Sequence, residues 1–195
     1  MDNKLDNSRA LKFFEKWQNE LSVAKNPLRK PSEDTSTYDS LIALVPPTAK
    51  KILEVGAGNG YIVNKLKNMG RDAIGQDISK ECCDAYGLVH CDMHNLIWDN
   101  DIFDVVIAKG CLEHTLSPRM AVREIWRILK PNGLLLADTP QSDEKGEWKN
   151  RAHFISLTPN QWNSLLKMNG FHVNENKFVG SYNRIIAHKH ERIYG

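Results

Sequence analysis

The chain has 195 residues, enough for one domain with a full hydrophobic core. Its 26 lysines and arginines against 24 aspartates and glutamates give a net charge of only +2. Nucleic-acid-binding proteins are usually markedly basic, so this near-neutral charge gives no strong sign of nucleic-acid binding. The longest apolar run is residues 41–45, which is far too short to span a membrane.

The first six residues are mostly polar and no apolar stretch follows them, so we expect no secretory signal peptide. The cysteines form no C-x-x-C pair, and no Cys/His group has zinc-finger spacing. We therefore predict reduced thiols in a cytoplasmic protein, and no metal site. The four cysteines are Cys82, Cys83, Cys91 and Cys111.

Residues 1–37 are predicted to form a helical cap on the core that follows. Apolar residues recur at helical spacing over residues 5–25, and Phe13, Phe14 and Trp17 are among them. This helix is either a lid over a ligand site or plain packing on the edge of a sheet. A loop over residues 26–37 and a short helix over residues 38–45 are predicted next, ending at a Pro-Pro pair.

From residue 51 onwards, strand and helix patterns alternate, with Gly, Pro or a capping residue at the boundaries. The predicted strands cover residues 51–55, 72–76, 88–91, 103–108, 134–137, 171–175 and 182–188. The predicted helices cover residues 60–69, 79–87, 117–129 and 158–170. This alternation predicts a doubly wound, mostly parallel α/β sheet that binds its ligand at the carboxyl ends of the strands.

The most informative motif is residues 52–60, where a strand runs into the turn Gly56-Ala57-Gly58-Asn59-Gly60. Glycines there let backbone N–H groups approach a ligand with no Cβ in the way. A dinucleotide fingerprint would need its third glycine at position 61, which is Tyr61. The plainer alternative is a tight strand-to-helix turn that binds nothing.

Four blocks in this order resemble class I S-adenosylmethionine-dependent methyltransferases, and more narrowly their type 11 group, which includes many small-molecule enzymes. The blocks are residues 52–60, 74–79, 103–114 and 121–133, and the resemblance covers roughly residues 38–175. It implies a single domain over residues 1–195, with a cap over 1–37 and an α/β core over 38–195. It also implies S-adenosyl-L-methionine as cofactor, S-adenosyl-L-homocysteine as product, and a seven-stranded Rossmann-like sheet of order 3-2-1-4-5-7-6 with the seventh strand antiparallel.

The resemblance assigns the methionine half of the cofactor to the glycine turn, with Gly56, Ala57, Gly58 and Gly60 as its cradle. Glu54 would meet the cofactor's ammonium, or else only stabilise nearby backbone donors. Asp77, 21 residues after Gly56, would accept both ribose hydroxyls. The alternative for Asp77 is an acid at a helix N-terminus, favoured by the helix dipole.

The adenine half is assigned to the ends of the second and third strands. Ile78 would pack on the adenine ring, and Asp92 would accept from its amino group beside the backbone of Met93. An exposed loop acid is the alternative for Asp92. Ala108 and Lys109 would line the cofactor with backbone atoms, although the family usually has a small or neutral residue in place of Lys109. Its side chain either faces solvent or favours an anionic substrate.

Methyl transfer is an in-line displacement, so the protein must mainly place the acceptor and exclude water. A hydroxyl acceptor of high pKa also needs a base. His153 and His114 are the candidate catalytic residues, and the fold favours His153 because it would lie on the substrate side. Alternatively, Glu113-His114 only orders a loop and His153 only bonds to the backbone. Cys111 is expected to pack in the core rather than to attack the substrate.

The acceptor is expected to be a small, polar or sugar-linked molecule that is methylated on oxygen or nitrogen. Residues 139–150 are the predicted substrate loop, and Asp138, Gln141 and Arg151 favour a hydroxylated or charged acceptor. No Asn/Asp-Pro-Pro-Tyr motif follows the fourth strand, which weighs against methylation of base or glutamine amino groups. Two alternatives stay open: a non-catalytic cofactor-binding protein, and a methyltransferase for protein or nucleic acid. The basic residues from Arg184 to Arg192 hint at the second, although a solvated terminus explains them better.

Overall fold

The computed structural model describes residues 35–140 and 153–190. The predicted helix over residues 5–25 and its lid role lie outside this range, as do Gln141, Arg151 and most of the predicted substrate loop. Within it the elements follow the predicted alternation. They are α1 (Ser36–Ile42), β1 (Lys51–Val55), α2 (Tyr61–Asn68), β2 (Asp72–Asp77), α3 (Lys80–Tyr86), β3 (Val89–His90), β4 (Phe103–Lys109), a 3₁₀ turn (Leu112–His114), α4 (Pro118–Ile128), β5 (Leu129–Pro140), α5 (Pro159–Met168), β6 (Phe171–Val179) and β7 (Tyr182–Lys189).

The starts of α3, α4 and α5 are set by side chains that accept from backbone N–H groups. Ser79 accepts from Cys82 at the start of α3, and Ser117 accepts from Met120 at the start of α4. Thr158 opens α5 with a capping box, in which the side chain of Gln161 bonds back to the backbone of Thr158. These caps fix the helix starts where the sequence predicts them.

Several element ends differ from the sequence prediction. Helix α1 begins at Ser36, inside the predicted cap and loop. Strand β5 is much longer than residues 134–137, because Leu129 already pairs with Phe103 and the chain passes through Asn132 at a φ of 62°. It also takes in Thr139 and Pro140, which the sequence places in a loop. Proline and glycine therefore predicted an interruption of the strand at a point where the strand continues with a bend.

The seven strands form one sheet of order β3-β2-β1-β4-β5-β7-β6, which confirms the predicted order. β7 runs antiparallel to both of its neighbours, and the other pairs are parallel. The carboxyl ends of β1, β2, β4 and β5 therefore meet along one side of the sheet, called here the carboxyl edge.

Two apolar clusters cover the two faces of the sheet. On one face, Leu41 of α1 and Ile62 and Leu66 of α2 pack on Val105 and Leu136. On the other face, α4 and α5 contribute a second set: Val122, Ile125, Ile128, Trp162 and Leu166. The domain thus has three layers, with helices on both sides of the sheet, as strands buried on both faces require. No helix in the described ranges has the length and apolar character to cross a bilayer.

Arg184 and Lys189 are not part of a solvated tail, and that interpretation of these two residues was wrong; Arg192 lies outside the described residues. Both lie in β7 and both are buried at 5% exposure. Arg184 donates from Nε and Nη2 to the two oxygens of Asp138, each at 2.8 Å. Lys189 donates to Asp101 and to the carbonyl of Leu129. Asp138, expected near the acceptor, is fully buried in this pairing.

We expect Asp138→Asn to lower the free energy of unfolding by about 3–5 kcal/mol, because it leaves buried cations without their counter-charge. Urea denaturation of the full chain measures this. Asp84→Asn is the matched control, since Asp84 pairs with Lys80 on the exposed surface of α3 and its loss should leave the midpoint unchanged. Equal midpoints for the two variants would contradict the role given to the buried pair.

Candidate functional site

The glycine turn joins β1 to α2 at the carboxyl edge. Gly56 has a φ of 65°, and a Cβ there would lie 2.4 Å from the Cβ of Cys111, so no other residue fits. Gly58 has a φ of 52°, and no described atom lies within 4 Å of where its Cβ would be. The turn therefore presents bare backbone to an open space, as a cradle for a ligand requires.

Asp77 ends β2 and braces the turn. Its Oδ2 accepts from the N–H of Gly58 at 2.8 Å, and its Oδ1 accepts from the N–H of Ser79 at 2.8 Å. Burial raises the pKa of this carboxyl, and those backbone donors oppose the rise. Asp77 is therefore an acid at a helix start, as the alternative has it, and each of its oxygens retains a lone pair for a further donor.

Glu54 lies on β1 just before the turn and is buried at 4% exposure. Burial raises the pKa of its carboxyl well above the ordinary value, and a backbone bond from Val63 in α2 only partly offsets this. Its Oε2 is buried and has no hydrogen-bond partner among the described residues. A buried acceptor without a donor is costly, so this oxygen suits a cationic ligand group.

Gln76 is a site residue that the sequence analysis missed. Its Oε1 accepts from the N–H of Gly56 at 3.2 Å, and its Nε2 donates to the carbonyl of Cys91. It thus ties the glycine turn to the segment after β3. A polar side chain in an otherwise buried strand was the signal that could have identified it.

Asp92, just beyond β3, is not an exposed loop acid. Its Oδ1 accepts from the N–H of His94 at 2.9 Å and lies 2.6 Å from the Nδ1 of that ring. The other ring nitrogen bonds to Thr115, whose hydroxyl also accepts from Ser117 at the start of α4. Burial alone would raise the pKa of Asp92, but the bonds from His94 bring it below its ordinary value.

The remaining predicted cofactor residues lie on the same edge. Ile78 and Met93 are half-buried. Ala108 is fully buried in the core, so only its backbone is available at the end of β4. The N–H of Gly110 donates to the carbonyl of Asp138 at 2.8 Å, which holds the ends of β4 and β5 together.

Lys109 does not face solvent, so one of the two alternatives for this departure from the family is wrong. Its side chain is 4% exposed, and its Nζ lies 3.5 Å from Asp138. The same ammonium is 4.0 Å from the ring centroid of Tyr182 and 4.8 Å from that of Tyr38. Burial lowers the pKa of Lys109 despite the attraction of Asp138.

The strand register places four charged side chains in a row across one face of the sheet. Glu54 pairs with Ile107, which faces the same way as Lys109 two residues on. Lys109 is opposite Asp138, and Asp138 is opposite Arg184. The row therefore alternates in sign across β1, β4, β5 and β7.

A second group of polar side chains lies just beyond β4 and is called here the Glu-His-His cluster: Glu113, His114 and His153. One donor atom from each residue lies within 4.8 Å of the others. The two imidazole rings meet edge to face at 5.0 Å between centroids. The structure thus brings together the two histidines that were predicted from the sequence as catalytic candidates, although they are 39 positions apart.

Glu113 links this cluster to the main chain. Its carbonyl accepts from the N–H groups of Phe154 and Ile155 at 2.9 and 3.2 Å, so it does order the neighbouring segment. Its side chain is buried, and burial raises the pKa of the carboxyl to about 8. Its Oε2 has no hydrogen-bond partner among the described residues. No chemical role was predicted for this side chain from the sequence.

Cys111 packs in the core, as predicted. It is buried, and its Sγ lies 3.2 Å from the carbonyl oxygen of Val55. Burial raises the pKa of the thiol well above its ordinary value, which disfavours the nucleophilic thiolate. All four cysteines are buried free thiols.

Comparison with known proteins shows which protein family this chain resembles. A family model described as a methyltransferase domain matches residues 53–137. Demethylmenaquinone methyltransferase of Clavibacter sepedonicus is 29% identical over 104 residues, which cover 48% of this chain and 42% of that protein. Phthiotriol/phenolphthiotriol dimycocerosates methyltransferase of Mycobacterium leprae is 36% identical over 127 residues, covering 57% and 46%. This chain thus matches less than half the length of either relative.

A solved structure extends the likeness to nearly the whole chain. It is the 1,6-didemethyltoxoflavin-N1-methyltransferase of Burkholderia thailandensis with 1,6-didemethyltoxoflavin and S-adenosylhomocysteine bound. The TM-score is 0.74, the sequence identity is 19%, and the match covers 98% of this chain and 94% of that one. At this identity the likeness establishes the fold.

Proposed function

Because the chain belongs to the class I S-adenosylmethionine-dependent methyltransferases, we propose that it transfers a methyl group from S-adenosyl-L-methionine to an oxygen or nitrogen of a small, polar or sugar-linked molecule. One observation carries the proposal. At the carboxyl edge, the buried Glu54 has an oxygen that no described residue donates to, beside a glycine turn that faces open space. A cationic amino-acid group on a nucleoside satisfies both features.

The residues at the edge fit this cofactor. Glu54 offers an acceptor to the methionine ammonium, the glycine turn lets the ligand approach its backbone closely, and Asp77 has lone pairs for the ribose hydroxyls. Asp92 is held by His94 in a fixed orientation for the adenine amino group. The proposed cofactor-binding set is Glu54, Gly56, Ala57, Gly58, Gly60, Asp77, Ile78, Asp92, Met93, Ala108 and Lys109, the last two through their backbone.

The cofactor supplies a methyl group already activated on a sulfonium. The protein's part is then to place the acceptor in line and to exclude water. We propose His114 and His153 as the catalytic residues, because they lie beyond the end of β4, next to the proposed cofactor edge. The segment after β5 remains our proposal for the part that selects the acceptor.

A small acceptor is favoured over a macromolecule by the place of the basic residues. Arg184 and Lys189, the hint of a charged binding surface, are buried in ion pairs. The similar enzyme from Burkholderia thailandensis was solved with a small heterocyclic molecule bound. The free, buried cysteines support the cytoplasm as the proposed compartment.

We expect Asp77→Ala to weaken binding of S-adenosylhomocysteine by about 1.5–3 kcal/mol, the range for hydrogen bonds to a charged group. Calorimetry on the full chain measures this. Because Asp77 also braces Gly58, an analogue without ribose hydroxyls separates the two effects. The analogue should bind weakly to the wild type, with little further loss on Asp77→Ala. An equal further loss with the analogue would show that Asp77 acts on the loop alone.

Methyl transfer itself is tested with methyl-labelled S-adenosylmethionine and an extract of the source cells, separated into small molecules, protein and nucleic acid. Label is expected in the small-molecule fraction with the wild type, and much less with Asp77→Ala. Label in a polymer fraction would contradict the proposed acceptor class. Bound S-adenosylhomocysteine without any transfer would instead favour the non-catalytic binding protein.

A further inference from the structure

The donor atoms of the Glu-His-His cluster have the chemistry of a metal centre. Two imidazoles and one carboxylate are a common ligand set for Zn²⁺ with one position left open, and also for other first-row divalent cations. Glu113, His114 and His153 each place one such atom within 4.8 Å of the other two. A small inward movement of the side chains brings this spacing to that of a metal-bound set.

The buried carboxyl of Glu113 is the independent sign of a ligand. Its side chain is 5% exposed and its Oε2 has no hydrogen-bond partner among the described residues, while its Oε1 lies 4.0 Å from His114 Nε2. Burying a carboxyl oxygen without a hydrogen-bond partner is costly, whichever protonation state the group adopts. A cation between Glu113 and the histidines would supply the missing partner.

The backbone holds the cluster together independently of its side chains. The carbonyl of Glu113 accepts from Phe154 and Ile155, which fixes the segment of His153 against the 3₁₀ turn that carries Glu113 and His114. Both ligand-bearing segments are therefore positioned in advance. The half-buried histidines leave a path for a cation and for a further ligand.

The charges around the cluster also permit a cation. Lys109 is the basic group whose field reaches Glu113, and it is paired with Asp138 and stacked between two tyrosine rings. Arg184, the next cation in the row, donates to both oxygens of Asp138 and to the hydroxyl of Ser40. Both side chains direct their hydrogen bonds to groups other than the Glu113 carboxyl.

We propose that Glu113, His114 and His153 bind one Zn²⁺ ion, and that its open coordination position receives the hydroxyl or amino group of the methyl acceptor. Coordination would lower the pKa of the acceptor, so that the proton it loses would pass to solvent, and the proton-accepting role predicted for His153 is not required. The metal site stands on these residues alone, whereas the place given to the acceptor rests on the proposed methyl transfer.

The test uses the full chain, freed of metal with a chelator and then titrated with Co²⁺ and Zn²⁺. One Co²⁺ per chain should give a visible absorption band that one equivalent of Zn²⁺ abolishes. Glu113→Gln and His153→Ala should each weaken Zn²⁺ binding by about 100-fold or more, because losing a ligand costs more than the 10–100-fold typical of an outer partner. His172→Ala, an exposed histidine on β6, is the matched control and should bind as the wild type does.

Sodium azide probes the open position. It should shift the Co²⁺ band of the wild type, and an unchanged band would overturn the place given to the acceptor. A Co²⁺ band that is absent, or that persists in both ligand variants, would overturn the metal site. Binding of S-adenosylhomocysteine is measured on the same samples. If the variants still bind S-adenosylhomocysteine, they are folded. If the wild type binds metal but not S-adenosylhomocysteine, the proposed function is contradicted and the metal site still stands.

Discussion

Buried charge along the carboxyl edge of the sheet is the constraint on which the rest of this structure depends. One face carries a row of alternating sign across four strands: Glu54, Lys109, Asp138 and Arg184. The Asp138–Arg184 pair is complete, with two bonds of 2.8 Å, and it couples the antiparallel β7 to β5. At the other end of the row, Glu54 keeps an oxygen without a donor. Asp138 and Arg184 thus have hydrogen-bond partners at the end of the row that supports the sheet. At the other end, beside the glycine turn, one oxygen of Glu54 lacks a partner among the described residues.

Two buried glutamates, each with one carboxyl oxygen that no described residue donates to, lie on either side of the end of β4. Glu54 lies under the glycine turn, and Glu113 lies in the 3₁₀ turn that follows β4. Each is buried, each has one oxygen without a hydrogen-bond partner in the part of the chain that the structure describes, and burial raises the pKa of each. Folding alone gains nothing from such groups, so their place is best explained by ligands that complete them. The first suits the ammonium of the cofactor, and the second suits a cation that would hold the acceptor beside it.

The sequence predicted the alternation of strands and helices because Gly, Pro and capping residues mark most of the boundaries locally. The strand order came only from the resemblance, since nothing in a local pattern places β7 between β5 and β6. Failures occurred where the decisive partner is remote. Arg184 looked like part of a basic tail because Asp138 lies 46 positions away. Likewise, His153 and Glu113 could be brought together only by backbone bonds that no spacing reveals.

The central claim is that the unsatisfied oxygen of Glu54 receives the ammonium of S-adenosylmethionine. It is tested most directly by calorimetry of Glu54→Gln with two ligands, S-adenosylhomocysteine and 5′-methylthioadenosine, which lacks the amino-acid group. We predict that the variant binds S-adenosylhomocysteine about tenfold more weakly, in line with the loss of a charge-assisted bond of about 1.5 kcal/mol, and binds methylthioadenosine as the wild type does. Unchanged binding of both ligands, or an equal loss for both, would contradict the account.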